Sequence, residues 1–275
     1  MTFRFTVLAS GSTGNALLVE NREVRLLVDA GLSGKKIEGL LAERERDGSK
    51  IDGILVTHEH SDHIKGLGAF ARKYRIPVYA NEKTWGEIDR LVSKSEELDR
   101  RTFRTGERLD FGSMTVESFE VSHDAAEPVG FRFHSGDQVL SLLTDTGYVS
   151  DKLKTLLSDS DVLILEANHD VEMLRAGSYP WNVKRRILGD SGHLSNDAAA
   201  EALCDMLTGR IRRVYMAHLS RHHNLLDLAR LTMTNILRER GYETGTLGTK
   251  LGTKGIALMD TYYDRPTAWD DLLHA

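Results

Sequence analysis

The sequence predicts an α/β fold in which two sheets pack together with helices outside, and three observations lead there. Strand patterns open the chain, helical patterns are interleaved with them, and the same order recurs in the second half. A continuous apolar stretch, Ile54-Leu55-Val56, suits a strand buried on both faces of a sheet. No Pro-, Gly- or Ser-rich linker divides the halves, so residues 1–275 are expected to form one domain made of two αβ half-domains sharing a core.

The elements follow in order. Residues 3–9 and 16–20 read as short strands joined by the turn-rich Ser10-Gly11-Ser12-Thr13-Gly14-Asn15, and residues 24–29 read as a third. Residues 33–46 carry helical periodicity, with Ile37, Leu40 and Leu41 on one face. A strand at 51–57 stops at His58. Helix 64–74, strand 76–80 and helix 83–92 come next. Residues 103–109, 114–121, 129–134 and 139–144 read as successive strands with Gly or Asp at the turns, the composition of a largely antiparallel sheet. Helices at 152–157, 197–207 and 225–239 are separated by strands at 162–165 and 213–216. The stretch from 167 to about 196 is irregular and polar, long enough to suggest a functional loop. Residues 247–260 read as a glycine-containing turn followed by a strand at 255–260.

Composition excludes several classes. A 40% apolar, 28% charged chain is that of an ordinary globular protein. One cysteine, Cys204, cannot form an internal disulfide and suits a reducing compartment. The first residues lack the apolar core of a signal peptide, and no apolar run is long enough to cross a bilayer, so a cytoplasmic protein without membrane association is expected. A net charge of −5 argues against a whole-surface grip on nucleic acid but leaves room for local basic clusters. Candidates are Lys184-Arg185-Arg186, Arg210-Arg212-Arg213, and the pair Lys250 and Lys254. Oligomeric state is not legible.

The most informative string is Thr57-His58-Glu59-His60-Ser61-Asp62-His63. Three imidazoles and a carboxylate follow a buried strand, with no apolar residue among them that would profit from a core. These donors suit zinc, manganese or iron. In extended backbone His58 and His60 point the same way and can grip one ion, while Asp62 and His63 serve a second position where the chain turns into a helix. Glu59 has the wrong phase to join them. Two ions need further donors, and His123, Asp145 and His218 stand at the ends of expected strands. Asp145 is the natural bridge, because a carboxylate can hold two cations about 3.5–4 Å apart.

His58-Glu59-His60-Ser61-Asp62-His63, then His123, Asp145 and His218 in that order, resembles the metallo-beta-lactamase fold superfamily over the whole chain. The resemblance implies a four-layer αββα sandwich, with His58, His60 and His123 on one metal, Asp62, His63 and His218 on the other, and Asp145 bridging. It is far less specific for substrate. Leu8-Ala9-Ser10-Gly11-Ser12-Thr13-Gly14-Asn15, Asp29-Ala30-Gly31-Leu32-Ser33, Leu165-Glu166-Ala167-Asn168-His169-Asp170, Gly192-His193-Leu194-Ser195-Asn196 and Ala217-His218-Leu219-Ser220 are similar to the YycJ/WalJ group. That likeness implies a DNA exonuclease acting 5′ to 3′ on double-stranded ends with a metal-bound hydroxide and two Zn2+ or Mn2+ ions. The Glu166, His193 and His218 segments also look like those of tRNA 3′-processing endonucleases. His223-Asn224 stands where Asn-Asn is expected, and neither a long substrate arm nor a large inserted domain is present.

On that reading Asp62 and Asp145 hold the metals and orient the nucleophile, and His193 donates a proton to the leaving oxygen with Glu166 setting its tautomer. Glu166 and His193 could equally form a purely supporting hydrogen bond. Candidate substrate contacts are Ser12 and Asn15 in the first turn, His169, Trp181 with Arg185 and Arg186 in the polar stretch, His222, His223, Asn224, and Lys250 and Lys254. His134 and His274 have no such context. Two other classes remain open: a hydrolase of a small thioester, lactone or phosphodiester using the same metals, and a non-enzymatic metal-bearing interaction protein.

Overall fold

The computed structural model describes residues 3–246 and 248–272; of the expectations above, those for Leu247 and His274 lie outside this range. The described strands form two mixed sheets, of seven and eight strands, flanked by helices. The chain divides into two compact units, one of residues 3–120, 125–138 and 261–272, the other of residues 121–124 and 139–260.

In the first unit, β1 (Arg4–Ala9), β2 (Ala16–Glu20) and β3 (Arg25–Val28) form an antiparallel meander, and β4 (Gly53–Leu55), β5 (Val78–Asn81) and β6 (Arg100–Phe103) continue the sheet in parallel. A two-residue strand, Asp270–Asp271, pairs with the outer edge of β1. The parallel half requires crossovers, supplied by α1 (Gly34–Ala42), α2 (Ser61–Ile64), α3 (Leu67–Tyr74) and α4 (Glu82–Leu91). Ser33 accepts from the Lys36 amide and Asn81 from the Thr84 amide, which fixes where α1 and α4 begin. Ile37, Leu40 and Leu41 face Ile54, Leu67 and Phe70 in one apolar core with the fully buried Trp85. The unit is completed by the antiparallel strands β7 (Arg108–Phe111), β8 (Met114–Glu120) and β9 (Val129–Ser135).

In the second unit, β10 (Gln138–Leu143), β11 (Val162–Glu166), β12 (Arg213–Ala217) and β14 (Gly255–Asp260) run parallel, with β13 (Glu243–Gly245) parallel to β14. Around them lie α5 (Asp151–Leu157), α6 (Val171–Ala176), α7 (Trp181–Ile187), α8 (Asn196–Met206) and α9 (Leu226–Glu239). The β11 sequence VLILE is buried at every position, the signature of a central parallel strand.

Three expectations need correction. The strand expected at 103–109 is two strands, because the chain turns at Thr105 and Gly106, where Gly106 has φ +88°. The helix expected at 64–74 begins earlier, at Ser61, and breaks before Leu67. The stretch read as irregular from 167 to 196 contains α6 and α7: Asp170 caps α6 through the Met173 amide, and Pro180 precedes α7. Both helices are short and largely solvent-facing, so they leave no apolar periodicity to read. Among the described residues no helix is long and apolar enough to cross a membrane.

Close approach of backbone explains Gly31, which follows β3. A Cβ built there would lie 1.6 Å from the carbonyl oxygen of Asp62, against which the Gly31 segment packs. Replacing Gly31 with Ala should therefore destabilise the protein by about 3 kcal/mol or more and displace the Asp62 loop. Urea unfolding of the variant, with bound metal quantified in parallel, measures both effects.

Candidate metal centre

The first unit supplies His58, His60, Asp62 and His63 from the loop that leaves β4 and enters α2. His58 and His60 come together: Nε2 of the first and Nδ1 of the second lie 3.1 Å apart. Behind them stands Asp29, buried at the end of β3. Its carboxylate accepts from the Thr57 amide and hydroxyl, both at 2.9 Å, and lies 2.7 Å from His63 Nδ1. Because the Thr57 hydroxyl proton goes to Asp29, the oxygen accepts from His58 Nδ1 at 3.0 Å. N–H therefore sits at Nδ1 of His58 and His63, which leaves Nε2 of each as an electron-pair donor, the tautomer that suits a metal.

The second unit repeats the device. Glu166, fully buried at the end of β11, accepts from the Thr146 and Leu194 amides through Oε2 and faces His193 Nδ1 at 2.8 Å and His218 Nδ1 at 3.0 Å through Oε1. Burial alone would raise its pKa, but the charge and hydrogen bond of His193 and the hydrogen bond of His218 outweigh it and hold the group at about 2. His193 moves the other way from its burial, upward, because Glu166 favours the imidazolium. Asn168 Nδ2 donates to the His218 carbonyl at 2.8 Å. His123 turns Nδ1 to the Gly192 carbonyl at 3.0 Å. Gly192 is obligatory there, since a Cβ would sit 2.2 Å from the Ile187 carbonyl oxygen.

Asp145, His193, His218 and Glu166 form a group whose ligand atoms lie within 4.8 Å of one another. Since Glu166 Oε1 is already engaged by two imidazoles, its place is behind the histidines. Two donors about 2.0–2.1 Å from a tetrahedral ion are roughly 3.3 Å apart. His58 to His60 at 3.1 Å, His218 Nε2 to Asp145 Oδ1 at 3.4 Å and His63 Nε2 to Asp62 Oδ2 at 3.5 Å bracket that spacing. The donor sets thus fit one or two metal ions.

The residues read as substrate contacts are placed diversely. Ser12 is exposed at its turn. Asn15 is buried and engaged with the ligand loop: Oδ1 accepts from Gly11, while Nδ2 reaches Asp62 and lies 3.1 Å from His63 Nε2. His169 is buried, neither ring nitrogen has a hydrogen-bond partner among the described residues, and desolvation lowers its pKa to about 4. Asn224 is an internal bracket, donating to the Ala167 and Asn168 carbonyls and exchanging amide hydrogen bonds with Asn196. His223 is buried with its ring 4.3 Å from that of Tyr179, and His222 is exposed. Trp181 is 60% exposed at the start of α7, one turn from the exposed Arg185. Arg186 pairs with Asp124, and Lys250 and Lys254 are exposed. Sequence reasoning missed Asp29 and Thr57 as supports of the ligands. The signal was the Asp-Ala-Gly following an apolar strand.

Two sheets flanked by helices, with buried imidazoles and carboxylates at the strand ends, define the metallo-beta-lactamase class of metal-dependent hydrolases. A family profile described as "Beta-lactamase superfamily domain" matches residues 24–219. Within that superfamily the chain belongs to the YycJ/WalJ exodeoxyribonuclease family. It is 51% identical over 245 residues to Exodeoxyribonuclease YycJ of Bacillus anthracis, covering 89% of this chain and 93% of the relative. It is 48% identical over 245 residues to Exodeoxyribonuclease WalJ of Streptococcus pneumoniae serotype 2, covering 88% and 91%. The metallo-beta-lactamase fold protein YhfI from Bacillus subtilis superposes with a TM-score of 0.70 over 97% of this chain and 99% of that one; at 17% identity this speaks to fold alone.

Removing the charge of Asp29 should release the His63 ring while sparing the apolar core. Asp29→Asn, which tolerates the left-handed backbone at this position, is expected to weaken metal binding 10- to 100-fold. Competition against a chelator of known affinity measures the loss.

Proposed function

We propose that this protein is a metal-dependent DNA hydrolase, an exonuclease that degrades double-stranded DNA from its ends in the 5′-to-3′ direction. The observation that carries the reading is the set of buried imidazoles whose Nδ1 protons are already committed to Asp29, Thr57, Glu166 and the Gly192 carbonyl. Relatives at 51% and 48% identity over nine-tenths of the chain bear the name exodeoxyribonuclease, which selects DNA among the superfamily's substrates.

His58, His60 and His123 would hold one ion, Asp62, His63 and His218 the other, and Asp145 both; in this reading the two units form one domain. Zn2+ and Mn2+ both suit these donors. When bound, such ions supply Lewis acidity, lowering the pKa of water and neutralising charge on a phosphodiester. The remaining work falls to the chain. Asp62 and Asp145 bring the negative charge that keeps two cations together. Glu166 holds the Nδ1 proton of His193, so Nε2 is the nitrogen that can pass a proton to the departing oxygen. Trp181 and Arg185, side by side on α7, offer an aromatic face and a cation to DNA; Ser12, Lys250 and Lys254 offer further contacts. The lone Cys204 suits a cytosolic setting.

The direct test gives metal-stripped protein, reloaded with Zn2+ or Mn2+, an end-labelled linear duplex and a covalently closed circle. Only the linear DNA should be degraded, and Asp62→Asn should reduce both metal content and turnover by at least about a hundredfold. Cleavage of the circle, or full turnover by the variant, would overturn the reading. If His193 is the proton donor, His193→Ala should slow substrates with poor leaving groups far more than activated aryl phosphodiesters. Equal slowing of both would leave it a supporting role.

A further inference from the structure

Asn15 stands immediately before β2 and is buried. Its backbone is fixed on both sides: the amide donates to the Asp62 carbonyl at 2.8 Å, and the carbonyl accepts from the Gly31 amide at 3.0 Å. The side chain is fixed as well. The Gly11 amide donates to Asn15 Oδ1 at 2.9 Å. A backbone N–H can only donate, so the side-chain oxygen faces Gly11 and the NH2 group faces the other way.

On that side lie three acceptors. Nδ2 is 3.3 Å from the Asp62 carbonyl oxygen, 3.3 Å from Asp62 Oδ2 and 3.1 Å from His63 Nε2. His63 carries its proton on Nδ1, toward Asp29, so Nε2 presents a lone pair to the amide. An NH2 group has two hydrogens; one serves Asp62 and the other His63. Asp62 Oδ2 and His63 Nε2 are themselves 3.5 Å apart. The three atoms thus form a triangle with sides of 3.1, 3.3 and 3.5 Å, close to the spacing of roughly 3.3 Å between donors around a tetrahedral ion. Asn15 stands at the third corner with an atom that can only donate hydrogen bonds and does not ligate.

We propose that Asn15 is a positioning residue of the metal centre: its amide gathers Asp62 and His63 at the spacing of two ligands of one ion. The inference rests on the reading of these two side chains as metal ligands and deepens it. Two other roles fit the geometry less well. A substrate contact needs a free hydrogen on Nδ2, and both are committed within the ligand loop. Support of the turn alone is served by Oδ1 and the backbone, and places no demand on Nδ2. When His63 Nε2 ligates, only its hydrogen bond to Asn15 is given up. Those to Asp62 stay and keep its carboxylate turned.

The experiment compares full-length wild-type protein with Asn15→Leu and Asn15→Asp, each stripped of metal and titrated with Mn2+, the unbound ion being counted by its electron paramagnetic resonance signal. Asn15→Leu stays close to the size of the side chain and removes both hydrogens, so Mn2+ binding should weaken about 10- to 100-fold. Asn15→Asp keeps an oxygen for the Gly11 amide and puts a second one at the third corner, where Nδ2 now lies 3.3 Å from Asp62 Oδ2. Without Mn2+ that variant should melt below wild type through like-charge repulsion. With Mn2+ it should recover and bind the ion at least as tightly as wild type. Damage to the turn would weaken binding in both variants, so opposite signs are the signature. In cutting of a linear duplex at saturating Mn2+, Asn15→Leu should lower kcat and leave KM for DNA unchanged. If Asn15→Leu fails to fold, the fall and recovery of Tm in Asn15→Asp keep the test. Unchanged Mn2+ affinity in Asn15→Leu, equal weakening in both variants, or a raised KM with metal binding intact would overturn the positioning role and leave the nuclease reading standing. Wild-type protein that binds Mn2+ and cuts no duplex would overturn the nuclease reading alone, because the comparison of affinities does not depend on turnover. Failure of wild-type protein to take up Mn2+ would overturn the positioning role.

Discussion

Everything at this site depends on buried carboxylates that face the Nδ1 edge of an imidazole. Asp29 does this for His63, and Glu166 for His218 and His193. A carboxylate away from water is costly unless each oxygen is satisfied, and each of these carboxylates accepts several hydrogen bonds. The cost of burying the charge is offset by those bonds, and the benefit is a fixed ring in a fixed tautomer. Without that, three histidines within six residues would be mobile, protonatable groups with no preference for holding a cation.

The backbone participates as well. Asp29, Asp145 and His218 follow or close their strands with φ of 60°, 57° and 55°. Asp, Asn and His are the non-glycine residues that most readily occupy this left-handed region, and they do so at a cost on the order of 1 kcal/mol. Three such residues at the same kind of place, where a strand stops and a ligand-type side chain must turn, are a consistent structural device. Gly31 and Gly192 complete it by permitting backbone approaches that any side chain would block.

Charge on the surface is organised differently from its appearance along the chain. The run Lys184-Arg185-Arg186 reads as one basic cluster, yet Lys184 is buried and donates to the Arg175 and Gly177 carbonyls, and Arg186 pairs with Asp124. Only Arg185 points out unengaged among the described residues, beside Trp181. Arg210 is likewise taken up by Asp159 and Asp161, and Arg212 by the Thr253 carbonyl. A basic stretch on one short helix is thus divided by its periodicity between structural and exposed roles.

The sequence by itself determined the fold class and picked out the imidazoles and carboxylates that could hold a metal. Strand and helix periodicities are local properties, and His58, His60, Asp62 and His63 sit close enough together that no tertiary information is needed to see their chemistry. Asp145, His123 and His218 were legible only as donors at strand ends. Tertiary structure decided which groups stand behind them. Asp29 is remote in the chain from His63, Glu166 from His218, and Gly192 from His123, and a hydrogen bond between such residues leaves no trace in local pattern. It also decided that Glu59, out of phase with the neighbouring histidines, is buried and accepts from the Ala126 amide, because burial and satisfaction of a polar atom are set by neighbours the chain supplies from elsewhere.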